Sequence, residues 1–315
     1  MRLRLHRLNI ALDSDDEPVR AAWTSLFAGW LQEDAPTVDA RLRLMLQPSL
    51  PPPPTAAPIF DDACYWPDGV GVLRVYDAPG GALLYFVDAA QVAVSLPAPG
   101  DSAPNRSAGV VGPRAFSGGR FEDVTLTSLA PALRRHGYFL LHAFAAERDG
   151  RCVLLIGPTG SGKTTTGLNL VLHGWRMLAN DAVLLEGRDD GVYALPTPGN
   201  LGIRPGTFEL LPELASRLGL DGGTAVDVTG QVAREGAAVR VTALLFVELD
   251  GPASLAQVPT AVALAQVLAE SVDRWDPNLL DSQVALLERL CRQAAPYTLR
   301  PGRDMARLAA LIAAL

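Results

Sequence analysis

Residues 157–164 could bind the phosphates of a nucleotide. Their sequence, Gly-Pro-Thr-Gly-Ser-Gly-Lys-Thr, fits the pattern G-x-x-x-x-G-K-[ST] and stands between the apolar run 152–156 and a stretch with helical spacing. In that context, backbone N–H groups and the positive end of the helix point at the phosphates. The residues predicted to bind the nucleotide are Gly157, Thr159, Gly160, Ser161, Gly162, Lys163, Thr164 and Thr165.

Lys163 is the single lysine in a chain that has 26 arginines. Because arginine supplies every other side-chain cation, we expect the ammonium group of Lys163 to be needed for its chemistry, at the β- and γ-phosphates of a nucleotide. The Thr164 hydroxyl is a predicted ligand of Mg²⁺. The alternative is a degenerate loop that no longer binds nucleotide.

Two more side chains could act beside this loop. Asp149-Gly150 between two apolar runs predicts a tight hairpin, whose register sets His142 across from Gly157. Asp181 lies inside the apolar run 177–185, where a carboxylate is costly unless it is paired or bound to a metal, so we predict that it is a functional residue. The alternatives are a hydrogen-bonded core position for His142 and a solvent-facing strand end for Asp181.

The elements that must position these residues alternate between strand and helix patterns, which predicts an α/β fold. Gly174 stands where it can end the helix that begins at Lys163. The predicted strands of this part of the chain cover 138–147, 152–156, 176–185, 192–195 and 239–248. The predicted helices cover 163–173, 260–272, 278–294 and 304–314.

The first part of the chain also mixes both patterns. Strands are predicted over 3–12, 40–46, 70–76 and 82–87, and helices over 17–32 and 126–136. The stretch 100–119 is rich in Gly, Pro and Ser, which predicts a linker. We therefore expect a smaller α+β domain over 1–120 and a nucleotide-binding domain over 121–315.

Residues 125–200 resemble the catalytic domain of HPr kinase/phosphorylase and its kinase-like relatives, which share a core with phosphoenolpyruvate carboxykinase. That family has a histidine on the strand before the loop, the loop itself, a glycine that ends its helix, and an acidic pair on the next strand. His142, residues 157–164, Gly174 and Asn180-Asp181 stand at these positions. Residues 296–308 are similar, less specifically, to relatives described as serine kinases.

The resemblance implies a P-loop kinase domain of the HPr kinase/phosphoenolpyruvate carboxykinase type, with a mixed sheet and C-terminal helices. It implies ATP and Mg²⁺ as cofactors and phosphoryl transfer to a hydroxyl, typically a serine of a protein or peptide. The domain over 1–120 would then be a candidate for recognising the acceptor.

The sequence departs from the family pattern at two places. The acidic pair is usually Asp-Asp, whereas the first member here is Asn180. The family's Glu-x-Arg-Gly signature has no match, which argues against the reverse phosphorylase reaction. The nearest text is 201–206, in which Arg204 could bind a phosphate or the acceptor, or be a solvated loop arginine.

Composition excludes several classes of protein. The chain has 315 residues, 49% apolar and 19% charged, which is typical of folded domains. Its net charge of −7 argues against general binding of nucleic acid or of an anionic membrane. Three widely spaced cysteines match no zinc or disulfide pattern. With no signal-like or membrane-spanning apolar run, we expect a cytoplasmic protein.

The phosphate loop and the family resemblance together imply an ATP-dependent kinase with Asp181, His142 and Lys163 as catalytic residues and Thr164 and Asp181 as magnesium ligands. The expected partner is a protein or peptide acceptor, without nucleic acid or membrane, and a homo-oligomer stays open. A kinase for a small metabolite is one alternative. A nucleotide-binding partner protein with little turnover is the other.

Overall fold

The computed structural model describes residues 1–32, 37–66, 69–98, 100–101, 104–199, 201–218, 225–226 and 238–315. Contacts divide the chain into two units. Unit 1 is Met1–Gly137 with Asp273–Leu280, and unit 2 is Tyr138–Val272 with Asp281–Leu315. Each unit combines a large mixed sheet with helices, so the protein is a mixed α/β protein.

Within the described part of unit 1, the chain forms eight strands and two α-helices. The strands are β1 (Arg2–Leu5), β2 (Leu8–Asp13), β3 (Ala40–Leu46), β4 (Phe60–Trp66), β5 (Gly69–Ala78), β6 (Gly81–Phe86), β7 (Ala90–Ser95) and β8 (Asn105–Val111). The helices are α1 (Glu17–Leu26) and α2 (Arg120–Arg135), with short 3₁₀ turns at Pro113–Phe116 and Pro277–Leu279. The strands form one sheet in the order β1-β2-β3-β8-β7-β6-β5-β4, in which β3 is parallel to both β2 and β8.

The predicted linker over 100–119 is wrong. Residues 105–111 form β8, which pairs with β3 on one side and with β7 on the other. Small residues such as Ser107, Ala108 and Gly109 are typical of a linker, and only the pairing shows that they form a central strand. The prediction of one strand over 3–12 is also wrong, because a turn at His6 (φ 56°) separates β1 from β2.

The boundary between the units falls after Gly137 and not near residue 120. Helix α2 belongs to unit 1: Trp23 Nε1 donates to Thr125 Oγ1 at 3.3 Å, and Ser107 Oγ donates to the Ser128 carbonyl at 2.9 Å. The segment 273–280 also belongs to unit 1, where Asp276 forms a buried ion pair of 2.8 Å with Arg135.

The described residues of unit 2 form eleven strands and six α-helices. The strands are β9 (Tyr138–Leu141), β10 (Ala143–Arg148), β11 (Arg151–Ile156), β12 (Arg176–Ala179), β13 (Val183–Arg188), β14 (Gly191–Leu195), β15 (Leu201–Gly202), β16 (Ala225–Val226), β17 (Val239–Val247), β18 (Ser254–Gln257) and β19 (Ala295–Arg300). The helices are α3 (Lys163–Leu172), α4 (Pro205–Leu210), α5 (Leu214–Leu218), α6 (Thr260–Ala269), α7 (Leu280–Gln293) and α8 (Met305–Ala313).

The main sheet of unit 2 has nine strands and branches at β17. One path runs β12-β10-β11-β17, after which β17 pairs with β14 near its start and with β19 along its later part. From β14 the sheet continues through β13 to β9, and from β19 to β18. Strand β17 is parallel to both β11 and β19, and the other pairs are antiparallel.

Both faces of the strand before the phosphate loop are buried. Cys152, Leu154 and Ile156 pack with α6 and α7, whereas Val153 and Leu155 pack with α3 and α8. A strand that is covered on both faces reads as a continuous apolar run, as 152–156 does. Cys64, Cys152 and Cys291 are free thiols. Among the described residues, no helix combines the length and apolar character needed to span a bilayer.

The hairpin of β10 and β11 confirms the predicted register. Ala143 pairs with Ile156, and the turn residues Asp149 and Gly150 have φ values of 55° and 76°, as a two-residue hairpin turn requires. Helix α3 ends before Gly174, whose φ is 85°, as predicted for the residue that follows the helix cap.

Two predicted strands are interrupted at the predicted site residues. The run 138–147 breaks at His142, since β9 pairs with β13 while β10 pairs with β11 and β12. The run 176–185 breaks at 180–182 for the same reason, because β12 pairs with β10 and β13 pairs with β9. The chain changes partner strands at both breaks, which brings them side by side.

Candidate functional site

The phosphate loop connects the end of β11 to the start of α3. Gly157, Gly160 and Gly162 have φ values of 149°, 87° and 94°, which other residues rarely adopt. A Cβ on Gly162 would lie 3.0 Å from the Leu249 side chain, and one on Gly157 would lie 3.0 Å from Ser161 Oγ. The loop therefore requires glycine for its backbone shape and for its close contacts.

Lys163 is folded into this loop. Its Nζ atom donates to the Gly157 carbonyl at 2.5 Å and to the Pro158 carbonyl at 3.2 Å, and the residue is only 4% exposed. Burial lowers the pKa of this ammonium group, opposed by the charges of Asp181 and Glu270 and reinforced by that of Arg204. A buried cation held by neutral carbonyls is a strong attractor for an anion.

The other predicted loop residues occupy distinct environments. Ser161 Oγ is buried with no hydrogen-bond partner in the described part of the chain. Thr159 is exposed on the loop. The Thr165 hydroxyl bonds to Thr207 Oγ1 at 2.7 Å, so it ties α3 to α4 in this structure. Of these three side chains, Ser161 is the one with a buried polar atom that has no hydrogen-bond partner among the described residues.

The predicted magnesium ligands are joined through Asn180. Thr164 Oγ1 donates to Asn180 Oδ1 at 3.2 Å, and Asn180 Nδ2 donates to Asp181 Oδ2 at 2.9 Å. Asn180 is 7% exposed, whereas the Asp181 side chain is 56% exposed. The amide of Asn180 thus bridges the loop hydroxyl and the carboxylate, and the carboxylate stays open to solvent.

Asp181 lies in a strained turn. Its φ is 60°, and the Ala182 amide donates to the Asn180 carbonyl at 2.8 Å, closing a three-residue turn around it. A non-glycine residue in this region costs on the order of 1–3 kcal/mol, and such residues cluster at functional sites. Because a strand cannot contain this turn, the strand predicted over 176–185 ends at Ala179.

His142 contacts two carboxylates. Its Nδ1 lies 2.7 Å from Glu270 Oε2, and its Nε2 lies 3.9 Å from Asp181 Oδ1. The His142 amide also donates to the Glu270 carbonyl at 2.9 Å. The structure therefore places His142 next to Asp181, and the charges of Asp181 and Glu270 both act on Lys163.

Sequence reasoning missed Glu270, which follows the last residue of α6. It is 128 positions from His142, so no local spacing could join the two. The available signal was weak: Glu270 is the first charged residue after the uncharged helix Thr260–Ala269.

Two further charged residues lie near the loop. Arg204 is exposed, as a solvated loop arginine would be, and its Nη1 atom lies 3.6 Å from where a Cβ on Gly160 would be. Glu248 stands between Val247 and Leu249, which both approach loop glycines, and it pairs with Arg300 at 3.5 Å. Sequence reasoning missed Glu248.

Comparisons with known proteins add little to this geometry. No family model matches the chain, and no curated protein matches it. A search of solved structures found the Hpr(Ser) kinase/phosphatase from Coxiella burnetii, at 12% sequence identity and a TM-score of 0.29. The match covers 56% of this chain and 94% of that chain. A likeness at this level does not establish a shared function.

Proposed function

We propose that this protein is an ATP-dependent kinase of the HPr-kinase-like type, which transfers the γ-phosphoryl group to a hydroxyl of a protein or peptide acceptor. The observation that carries the proposal is the line of contacts from the buried Lys163 loop through Thr164, Asn180 and Asp181 to His142. The choice of a serine in a protein or peptide is supported only by the sequence resemblance over 125–200.

The loop residues fit a nucleotide phosphate. Lys163 has no carboxylate within ion-pair distance among the described residues, and Ser161 Oγ is a buried polar atom with no partner among them. An anion in the loop would supply acceptors for both groups. The exposed Arg204 beside Gly160 adds a second cation at the loop.

The residues present also fit magnesium. Thr164 Oγ1 and the Asp181 carboxylate are the oxygen ligands that Mg²⁺ prefers, and Mg²⁺ usually takes one or two protein ligands together with phosphate oxygens. When bound, Mg²⁺ would neutralise charge on the phosphate oxygens. Asn180 would keep both protein ligands in place through the two hydrogen bonds that its amide already makes.

The roles of the chain's own residues follow from their positions. Lys163 and the loop amides bind phosphate oxygens and stabilise the charge that spreads over them during transfer. The open Asp181 carboxylate and His142 hold the acceptor hydroxyl, which must be aligned with the phosphorus. We also propose that unit 1, which contains residues 1–120, recognises the acceptor, on the sequence argument alone.

One observation favours the alternative of a nucleotide-binding protein with little turnover. Asn180 stands where the family has an acid, and its amide cannot accept a proton as a base. A kinase for a small metabolite has no specific support in the structure.

The test of the proposal is Asp181→Asn. We expect it to lower phosphoryl transfer by at least about a hundredfold, since a positioned base or metal ligand contributes that much, while nucleotide binding weakens far less. The measurement is consumption of ATP with Mg²⁺, together with transfer of radiolabelled phosphate to fractions of a cell lysate.

The matched control is Asp189→Asn, the same change at an exposed residue in the turn between β13 and β14. It should behave as the wild type. Normal turnover in Asp181→Asn would show that the chemistry does not use this carboxylate, and a wild type without turnover would favour the binding-protein alternative.

A further inference from the structure

Glu270 holds His142 at two points. Its side-chain Oε2 lies 2.7 Å from the ring atom Nδ1, and its backbone carbonyl accepts from the His142 amide at 2.9 Å. A neighbouring bridge between Leu141 and Ser271 fixes the two chain segments against each other. The ring and the carboxylate therefore meet in one orientation.

The hydrogen bond at Nδ1 fixes the proton on the ring. An ionised carboxylate can only accept hydrogen bonds, so Nδ1 must carry the hydrogen. In the neutral imidazole the other nitrogen, Nε2, then has a free lone pair. Nε2 is the atom that faces Asp181 Oδ1, at 3.9 Å.

Two hydrogen-bond acceptors consequently face the same space. Nε2 of His142 and the carboxylate of Asp181 cannot bond to each other when the ring is neutral, but a hydroxyl group beside them can lie within hydrogen-bond distance of both. This space is open to solvent at Asp181, because the Asp181 side chain is 56% exposed. The side chains of His142 and Glu270 are 27% and 17% exposed.

We propose that Glu270 is a positioning residue that holds His142 as the Nδ1–H tautomer, with Nε2 turned toward Asp181 to accept the hydrogen bond of the acceptor's hydroxyl. This inference rests on the proposed kinase function for its consequence, but not for its geometry. This arrangement favours a particular kind of substrate. A group that donates a hydrogen bond fits between Nε2 of His142 and the Asp181 carboxylate, whereas a carboxylate or phosphate does not.

The tautomer can be read directly by ¹⁵N NMR of the histidine rings in the full chain, at a pH at which the imidazoles are neutral. The sequence has only four histidines. Two of them are internal references, because Nδ1 of His136 and of His173 lie 2.9 and 2.8 Å from backbone carbonyls, which only accept. The His142 signals are identified by their loss in His142→Gln.

We expect the wild-type His142 to show the Nδ1–H tautomer. Glu270→Leu, which keeps the bulk and the backbone carbonyl but removes the acceptor, should shift the ring largely to the Nε2–H tautomer. Glu270→Gln retains an oxygen that can accept, and should keep part of the Nδ1–H form. The matched control is Glu288→Leu, a partly exposed glutamate on α7 that pairs with Arg292, which should leave the spectrum of His142 unchanged.

Kinetics give a second readout. Glu270→Leu should lower kcat by at least about tenfold, since a misplaced hydrogen-bond acceptor acts at the transfer step, while the KM for ATP changes little. A merely structural role for Glu270 would instead change stability and leave the tautomer as it is.

The outcomes separate this inference from the proposed function. An Nε2–H tautomer in the wild type, or an unchanged tautomer in Glu270→Leu, would overturn the role of Glu270. The wild-type spectrum decides the matter even if the variant does not fold. If the tautomer result holds but no form of the protein transfers phosphate, the positioning stands and the kinase function fails.

Discussion

In the free protein, burial destabilises the charged ammonium group of Lys163, whereas hydrogen bonds to the backbone stabilise it. It is buried, which lowers its pKa, and two backbone carbonyls of its own loop accept its hydrogen bonds. Burying a charge without an ion partner costs stability. A residue kept at this cost in a chain that otherwise uses arginine is best explained by a ligand that supplies the missing anion.

This cost gives Lys163→Met a pH-dependent effect on stability. Because burial lowers the folded pKa below the ordinary 10.5, the unfolded state binds more protons, and the wild type gains stability as pH rises from the folded pKa to 10.5. Methionine has no such dependence. Relative to the variant, the wild type should therefore gain stability in urea unfolding as the pH rises toward 10.5. A difference that does not change with pH would contradict this.

Site residues that belong to a local sequence motif could be predicted from the sequence. Site residues that meet only through tertiary contacts could not. The loop 157–164 and the hairpin register of Ala143 and Ile156 follow from adjacent residues. Glu270, by contrast, meets His142 across 128 positions, and Thr207 meets Thr165 across 42. Neither contact has a signature within one element.

At the scale of elements, the site lies where two strands stop. Apolar residues continue on both sides of His142 and of Asn180-Asp181, so periodicity predicts unbroken strands over 138–147 and 176–185. The breaks exist because β9 and β13 pair with each other, while β10 and β12 pair with each other. Which strands pair with each other depends on the whole sheet, so it cannot be predicted from the residue pattern of a single strand.

The turn between β12 and β13 makes Asn180→Asp informative. An aspartate there cannot donate to Asp181 Oδ2, as the amide now does at 2.9 Å, and it sets a second carboxylate beside the first. We expect turnover to stay the same or to fall, because like charges repel at this spacing. The measurement is ATP consumption and acceptor phosphorylation, side by side with the wild type.

The opposite result would change the interpretation of the site. If the wild type is inactive and Asn180→Asp gains activity, the reaction needs a general base at position 180 and the natural protein only holds nucleotide. Thermal unfolding of both forms serves as the control, because a large loss of stability in the variant would show that the hydrogen-bond bridge from Thr164 to Asp181 was lost.

At the scale of the whole molecule, the α/β class followed from the sequence, whereas the division of the chain did not. Composition suggested a linker at 100–119, yet residues 105–111 are a central strand. The segment 273–280 returns to unit 1, with Asp276 paired to Arg135. Burial raises the pKa of Asp273 in this segment to about 7. The amino-acid composition does not reveal that a unit is discontinuous, because its separate stretches are held together only by tertiary contacts.

Calorimetric titration of the full chain with ATP and Mg²⁺ tests the claim that residues 157–164 bind the phosphates of ATP. The wild type should bind ATP, and AMP, which lacks the β- and γ-phosphates, should bind far more weakly. Lys163→Met should weaken ATP binding at least about tenfold, as the loss of a charge-assisted hydrogen bond does. Equal affinity of the wild type and Lys163→Met for ATP would contradict the claim.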